Sequence, residues 1–341
     1  MEPNKQLSIV IPTYNRAAFL DYSLEVHIPL CKEKNIQIFI FDNASTDNTK
    51  EVIEKWMLEY PYLSYSGSEI NIGPDANFER ALKYPDTNYV WLLSDTYQIP
   101  RGGIEYLFKI INNTDQDYDV VVFNLVEKIK IPTRNYQNQN DLLTDLGAVM
   151  TCAAINVYNK KLISSANFPR YYDSNFIQTG IIFESISNRN FKIHWIQEYS
   201  VNSLNHLTLQ KTNWSHTPYA FEIGCEKWTN FIFSLPPSYT VQDKTKCIMK
   251  FGKVSGLFTL RNLILLRALG ILNIKSLKRF DYFLALTMDF PKILIYGLGL
   301  IPKSILKVII LIFILLLRQK NIKTFKALFL VKRLHYLLKI P

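Results

Sequence analysis

Residues 7–42 read LSIVIPTYNRAAFLDYSLEVHIPLCKEKNIQIFIFD. The two ends of this stretch, Leu7–Pro12 (LSIVIP) and Ile36–Phe41 (IQIFIF), are short, nearly continuous apolar runs rich in β-branched residues, the composition of strands buried on both faces. Between them, from about Ala17 to Lys34, the pattern is helical. Strand, helix, strand is the unit that joins two parallel strands through a crossover. The alternation continues outward. A helix is expected over Asp47–Tyr60, where Asn48 and Glu51 have capping-box spacing. A weak strand follows at Leu63–Tyr65, then a helix at Asp75–Lys83 and a strand at Tyr89–Leu93 (YVWLL). A helix from about Gly103 to Asn112 and a strand at Asp119–Asn124 close the series. Residues 1–125 are therefore expected to be α/β, a mainly parallel, Rossmann-like sheet with helices on both faces.

The remaining chain divides by composition. Residues 126–250 are less regular, with a surface loop expected at Arg134–Asn140, a helix at Phe176–Asn188 and a strand at Lys192–Gln197. Residues 251–341 hold 16 Lys and Arg against 2 Asp and Glu, a net of +14, whereas residues 1–250 hold 23 against 27, a net of −4. The basic block is also apolar: Leu257–Leu272, Ile293–Leu317 and Ile322–Ile340 are Leu/Ile/Phe-rich segments punctuated by Lys and Arg. A charged, greasy block suits an anionic membrane surface, not nucleic acid. Helices lying in the interface fit this pattern most simply. The alternative is a kinked span over Ile293–Leu317, with Lys303 and Lys307 snorkelling and Pro302 inside. Cys31, Cys152, Cys225 and Cys247 lie far apart with no CxxC pair, as expected in a reducing compartment. Met1–Gln6 is polar and does not read as a signal peptide.

In an open parallel sheet, ligands bind beyond the carboxyl ends of the strands. Three of those ends carry polar loops: Pro12-Thr13-Tyr14-Asn15-Arg16, Asp42-Asn43-Ala44-Ser45-Thr46-Asp47 and Ser94-Asp95-Thr96-Tyr97. None has the glycines of GxGxxG or GxxxxGK[ST], which excludes dinucleotide and P-loop phosphate sites. Asp and Asn also favour turns and caps for local reasons, and that reading suits Asp47. His194, His206 and His216 lack metal-motif spacing. Trp91 reads as core, and so do Trp195, Trp214 and Trp228, whose alternative is an acceptor platform.

LSIVIPTYNR, FDNASTDNT, NIGPDANFERAL and YVWLLSDTYQIP, in this order and spacing, resemble the nucleotide-sugar half of a family 2 glycosyltransferase of the GT-A fold, such as the sugar transferases of bacterial O-antigen and capsule assembly. The resemblance covers about residues 7–125. It implies an inverting transfer from a nucleotide-diphosphate sugar, with Pro12, Thr13, Tyr14, Arg16 and Asp42 lining the nucleoside pocket. It also implies that Asn71, Gly73 and Asn77 lie beside the donor, and that Ser94 and Asp95 open the acidic metal motif. The family reads Asp-x-Asp or Asp-Asp-Asp there, whereas this chain reads Asp95-Thr96-Tyr97. Asp95 would hold Mg²⁺ or Mn²⁺ only jointly with the diphosphate and water, or would instead touch the ribose; without a metal, Arg or Lys must offset the leaving-group charge. The family's general base lies further on, where Asp173 (in YYDSNF) is the first candidate and Glu184 and Glu198 are the alternatives.

The resulting expectation is a donor-binding half at 1–125, an acceptor-binding half at 126–250 and a helical membrane-docking region at 251–341. The expected enzyme acts at the cytoplasmic face of the cell membrane on a polyprenyl-diphosphate-linked glycan. A catalytically silent membrane-bound partner protein and a sugar nucleotidyltransferase are the competing readings, the latter weakened because PTYNR is no Gly-rich triphosphate loop.

Overall fold

The strand–helix–strand unit of residues 7–42 forms as β1 (Leu7–Thr13), α1 (Ala17–Lys32) and β2 (Gln37–Asp42), with β1 and β2 parallel in register from Ser8↔Gln37 to Thr13↔Asp42. The structure is a computed structural model that describes residues 2–113, 117–205, 209, 214–288 and 291–310. The alternation continues through α2 (Thr49–Glu59), β3 (Leu63–Gly67), α3 (Pro74–Lys83), β4 (Tyr89–Leu92), β5 (Tyr97–Gln98), α4 (Gly103–Ile111) and β6 (Val120–Leu125). Then come β7 (Arg134–Tyr136), α5 (Gln139–Leu146), β8 (Asn156–Asn159), α6 (Lys160–Ser165), α7 (Ile177–Ser185) and β9 (Ile193–Ser203).

Among the described residues the sheet runs β3-β2-β1-β4-β8-β6-β9-β5, with β7 also on β9. Strands β1 to β4 are mutually parallel, β6 and β9 are parallel, and β8 enters antiparallel between β4 and β6. The nearly continuous apolar runs are explained by position: every residue of β4 and β6 is buried, as are Leu7 to Ile11 of β1. Right-handed crossovers put α1 and α2 on one face of the sheet. The chain then returns past β1 to reach β4, so α3 lies on the other face. Strand β1 has β2 on one side and β4 on the other, and this reversal of strand order opens a crevice at the carboxyl ends.

Some local expectations are corrected. Asn48 does precede α2, but its side chain makes no cap bond, so there is no capping box with Glu51. Its backbone (φ −74°, ψ 28°) is outside the extended region from which a cap side chain turns back to the helix. Asp47 does the work instead, accepting from Thr49 N (3.2 Å) and Thr49 Oγ1 (2.5 Å) and, from the neighbouring loop, from Ala17 N at the start of α1 (3.0 Å). Residues 134–140 are not simply a loop: β7 pairs antiparallel with β9, burying Tyr136, and Asn138 caps α5 by accepting from Asn140 N and Asp141 N. Trp91, Trp195 and Trp228 are fully buried core residues, while Trp214 is partly exposed.

The chain forms two compact units, one of residues 1–209 and 233–247, the other of residues 210–232 and 248–341. Helices α8 (Trp228–Ser234) and α9 (Val241–Ser255) run across these divisions, so the compositional break near residue 250 falls inside α9. The second unit includes α10 (Leu260–Ala268), α11 (Ile274–Thr287), α12 (Lys292–Leu300) and α13 (Lys303–Ile310). Its core joins Ala220, Phe221 and Cys225 to Leu257, Phe258, Leu263, Leu266, Leu277 and Phe280. Among the described residues no single helix is long and apolar enough to cross a membrane; α12 and α13 pass the same test only as a pair bent by 92°. The segments expected at 311–317 and Ile322–Ile340 lie outside the described residues, as does His206.

Candidate active site

Thr13, Asp42 and the Ser94–Asp95 pair end or follow three adjacent parallel strands, so their side chains gather at the reversal of strand order. Asp95 is 2% exposed and accepts from Thr13 Oγ1 (3.0 Å), Arg16 Nη1 (3.0 Å) and Ser94 Oγ (3.3 Å). A buried carboxylate is tolerable only when paired and hydrogen-bonded, and Arg16 provides both. One strand further out, Asp42 is 4% exposed; its Oδ1 accepts from Ser45 N (3.1 Å) and Ser45 Oγ (2.5 Å), and its Oδ2 from Tyr65 OH (3.2 Å). Burial, with the Asp42 carboxylate beside it, raises the Tyr65 pKa and keeps that hydroxyl a donor. Beneath Asp42, Arg80 stacks over Phe41 and donates to Asp42 O (3.0 Å) and Ser66 O (2.9 Å).

The loops are laced together. Asn43 N donates to Thr13 O (3.0 Å), Asn15 N to Ser45 Oγ (2.8 Å) and Thr46 N to Asn15 Oδ1 (2.7 Å). Asn43 then reaches the segment before α3, donating to Asn71 Oδ1 (2.9 Å) and Gly73 O (3.3 Å) and accepting from Ile72 N (2.9 Å). Gly73 has φ 83° and ψ 164°, a conformation open essentially to glycine alone. From α3, buried Asn77 donates to Phe41 O (3.0 Å). Tyr14 is 44% exposed at the rim, and Pro12 is the last residue of β1 before Thr13. The expected donor residues Pro12, Thr13, Tyr14, Arg16, Asp42, Asn71, Gly73, Asn77, Ser94 and Asp95 thus share one rim. Asn43, Ser45 and Tyr65 are additions to it. Asn43 was legible only as the neighbour of Asp42; Tyr65 gave no signal, because its strand alternates without a motif.

The three base candidates separate. Asp173 is exposed, in the left-handed region (φ 62°), on a loop fastened to α3 where Asn175 N donates to the buried Asp75 carboxylate (3.2 Å) and Tyr172 OH to Glu79. The Glu79 bond raises the Tyr172 pKa to about 12. This places Asp173 beside the N-terminus of α3, the helix that Gly73 opens. Glu184, in α7, pairs with Arg170 (3.3 Å). Glu198 lies in the irregular part of β9 and accepts from Thr133, which lowers its pKa.

Among the described residues the side chains of this site do not by themselves assemble a metal site; an ion here would also need oxygens from the diphosphate and water. Three donors of this chain already converge on the two oxygens of Asp95, Thr96 and Tyr97 bring no second carboxylate, and among the described residues no group of three or more His, Cys, Asp or Glu is placed to hold an ion. His194 and His216 face Asn135 and Asn262, not each other.

The family model of glycosyl transferase family 2 matches residues 8–197, more than half of the 341 residues. The chain belongs to that family. It is 28% identical over 145 residues to abequosyltransferase RfbV of Salmonella typhimurium, an alignment covering 40% of this chain and 43% of that protein. It is 25% identical over 108 residues to a GalNAc(5)-diNAcBac-PP-undecaprenol beta-1,3-glucosyltransferase of Campylobacter jejuni, covering 31% and 35%. The chain thus spans less than half the length of these curated relatives. The crystal structure of S. aureus TarS 1–349 in complex with UDP superposes with a TM-score of 0.54 at 15% identity, covering 82% of this chain and 79% of that one. The likeness to TarS is one of fold, and it extends the family match from the motifs to the α/β architecture.

Proposed function

We propose that this chain is an inverting glycosyltransferase that moves a sugar from a nucleoside-diphosphate donor to a lipid-linked glycan in bacterial cell-surface polysaccharide assembly, as in O-antigen or capsule formation. The observation that carries the reading is the pair of buried carboxylates, Asp42 and Asp95, held at the carboxyl ends of β2 and β4 on either side of β1. Asp42 is an acceptor for a base N–H, and Asp95 with Thr13 an acceptor and donor for ribose hydroxyls. In the transfer, the acceptor hydroxyl oxygen attacks the anomeric carbon. Asp173 takes its proton, and the bond to the diphosphate oxygen breaks with its electron pair leaving on the diphosphate.

In this reading residues 1–125 hold the donor, 126–250 shape the acceptor side and 251–341 dock on the cytoplasmic face of the cell membrane as a peripheral or monotopic region. The name of the Campylobacter relative, with its PP-undecaprenol acceptor, supports a polyprenyl-diphosphate carrier. The basic, apolar composition of the last 91 residues supports the anionic surface. Incubating the protein with a panel of nucleotide sugars, and scoring released nucleoside diphosphate with and without undecaprenyl-diphosphate-linked glycans, tests the proposal. Turnover of one donor, accelerated by such an acceptor, is expected; binding without turnover of any donor overturns it in favour of a silent partner protein.

A further inference from the structure

The weak point of the site is charge. A departing diphosphate needs a fixed positive charge opposite it. Arg16 is committed to Asp95, and Arg80 donates to two backbone carbonyls. The place where the family's motif carries its further carboxylate is taken by Tyr97, whose hydroxyl is hydrogen-bonded to the Cys152 thiol.

A different element carries a cation at the same edge of the sheet. At the carboxyl end of β6 the chain turns back at once, Lys128 N donating to Leu125 O (3.0 Å). The two central residues are Val126 (φ 49°) and Glu127 (φ 52°). Turns of this shape prefer Asn and Gly, and a β-branched valine in the left-handed region is strained by about 1–2 kcal/mol. The strain is held by β9: Val126 N donates to Val201 O and Glu127 N to Ser200 Oγ, each at 3.0 Å. On that same strand Val201 pairs with Leu125 and Ser203 pairs with Tyr97. The base of the turn and Tyr97 therefore flank β9 on opposite sides, two β9 residues out of step and about 12 Å apart. Lys128 is exposed, and partial desolvation lowers its pKa, while Cys152, the hydrogen-bond partner of Tyr97, acts the other way from within electrostatic reach.

We infer that Lys128 provides the positive charge facing the leaving diphosphate, in the role a divalent ion fills where the acidic motif is complete, so that donor binding here does not depend on a metal. This rests on the donor-site reading above. Lys128 transfers no proton: as the bond between the anomeric carbon and the diphosphate oxygen breaks, the electron pair stays on that oxygen and the ammonium is its counter-charge. The strained turn is what keeps the lysine at the end of β6.

Calorimetric titration of the full chain with UDP, GDP, dTDP and CDP, and with the corresponding monophosphates, tests this in EDTA and in Mn²⁺. The diphosphate that binds is expected to do so within about twofold in the two conditions. Lys128→Met should weaken that diphosphate by about tenfold or more, as for loss of a charged hydrogen bond, and leave the monophosphate within about twofold. Lys128→Arg should keep most of the diphosphate affinity. An affinity that rises about tenfold or more with Mn²⁺, or a Lys128→Met loss equal for mono- and diphosphate, overturns the inference while leaving the donor site standing. Failure of the wild-type protein to bind any diphosphate overturns both.

Discussion

Asp42 shows how much one side chain carries at this rim. It ends β2, closes the turn to Ser45, accepts from Tyr65 and sits above Arg80. Asp42→Ala leaves three donors without their acceptor and removes the proposed partner of the base. Nucleoside-diphosphate affinity should fall by about 1–3 kcal/mol, measured by calorimetry; unchanged affinity would remove Asp42 from the pocket. Gly73 makes a separable case. A Cβ added there meets nothing within 4 Å, so Gly73→Ala tests backbone conformation alone. A loss of about 1–3 kcal/mol in denaturant unfolding is expected. The proposed base gives a kinetic test: Asp173→Asn should lower kcat by at least about a hundredfold at nearly unchanged donor affinity. If Glu184→Gln or Glu198→Gln does so instead, the base is misassigned. At this scale the sequence was informative wherever a residue type answers to a single strand end, as at Asp42 and Asp95. It was silent where distant segments meet: nothing near Lys128 announces that β9 pairs with both β6 and the strand of Tyr97.

Secondary structure was legible for the same reason in the first 125 residues, where β1, β2, β4 and β6 are almost wholly buried and each crossover has its own helical stretch. Past residue 125 the pattern weakens because β8 is antiparallel and short, β7 is a three-residue edge strand, and β9 is interrupted by an irregularity facing Phe123 and Asn124. Such features obey pairing, not periodicity. One element-scale link was invisible in the sequence. His27, fully buried in α1, donates from Nδ1 to Ser23 O (2.6 Å) and accepts at Nε2 from Ile99 N (3.1 Å), tying α1 to the segment that follows Asp95. Burial lowers its pKa to about 4, against 6.5 in an exposed histidine, although the Ser23 bond acts the other way. The folded state therefore holds this ring neutral while the unfolded chain protonates it. Its stability contribution is complete above about pH 6.5 and is lost as pH falls towards 4, at about 1.4 kcal/mol per unit. In urea unfolding, the advantage of the wild type over His27→Gln should shrink by about 2–3 kcal/mol between pH 7 and 4.5. A constant difference would show that the ring is not held neutral.

Across the whole molecule the question is what the second unit does with its apolar surface. Its helices α12 and α13 are not amphipathic in the ordinary sense, unlike α11, which buries one stripe of Leu277, Phe280 and Leu284. In α12, Ile295 and Gly299 are buried in the unit, yet Ile293 (78% exposed), Leu294 (62%) and Leu300 (71%) face outward, and in α13 Leu306 is buried while Ile305, Val308 and Ile309 are exposed. Helices apolar on both faces, flanked by Lys292, Lys303 and Lys307 and bent by 92° between them, suit a shallow seat in a lipid interface. Removing everything after residue 250 is a poor test, because Ala220, Phe221 and Cys225 would lose the partners that bury them. Substituting the outward residues avoids this. The triple variant Ile293→Glu, Leu300→Glu, Ile305→Glu changes exposed positions only, so its denaturation midpoint should stay close to the wild type's. Binding to vesicles containing phosphatidylglycerol should fall steeply, since each buried CH₂ contributes about 0.8 kcal/mol and each carboxylate adds repulsion from the anionic surface. Salt should weaken the wild-type interaction in part, because each Lys or Arg contributes about 1 kcal/mol, screened over a Debye length of about 8 Å. Co-sedimentation of both forms at low and high salt decides it. If the wild-type protein ignores anionic vesicles, the membrane reading fails; if it binds and the triple variant binds as well, the contact lies elsewhere in the basic region.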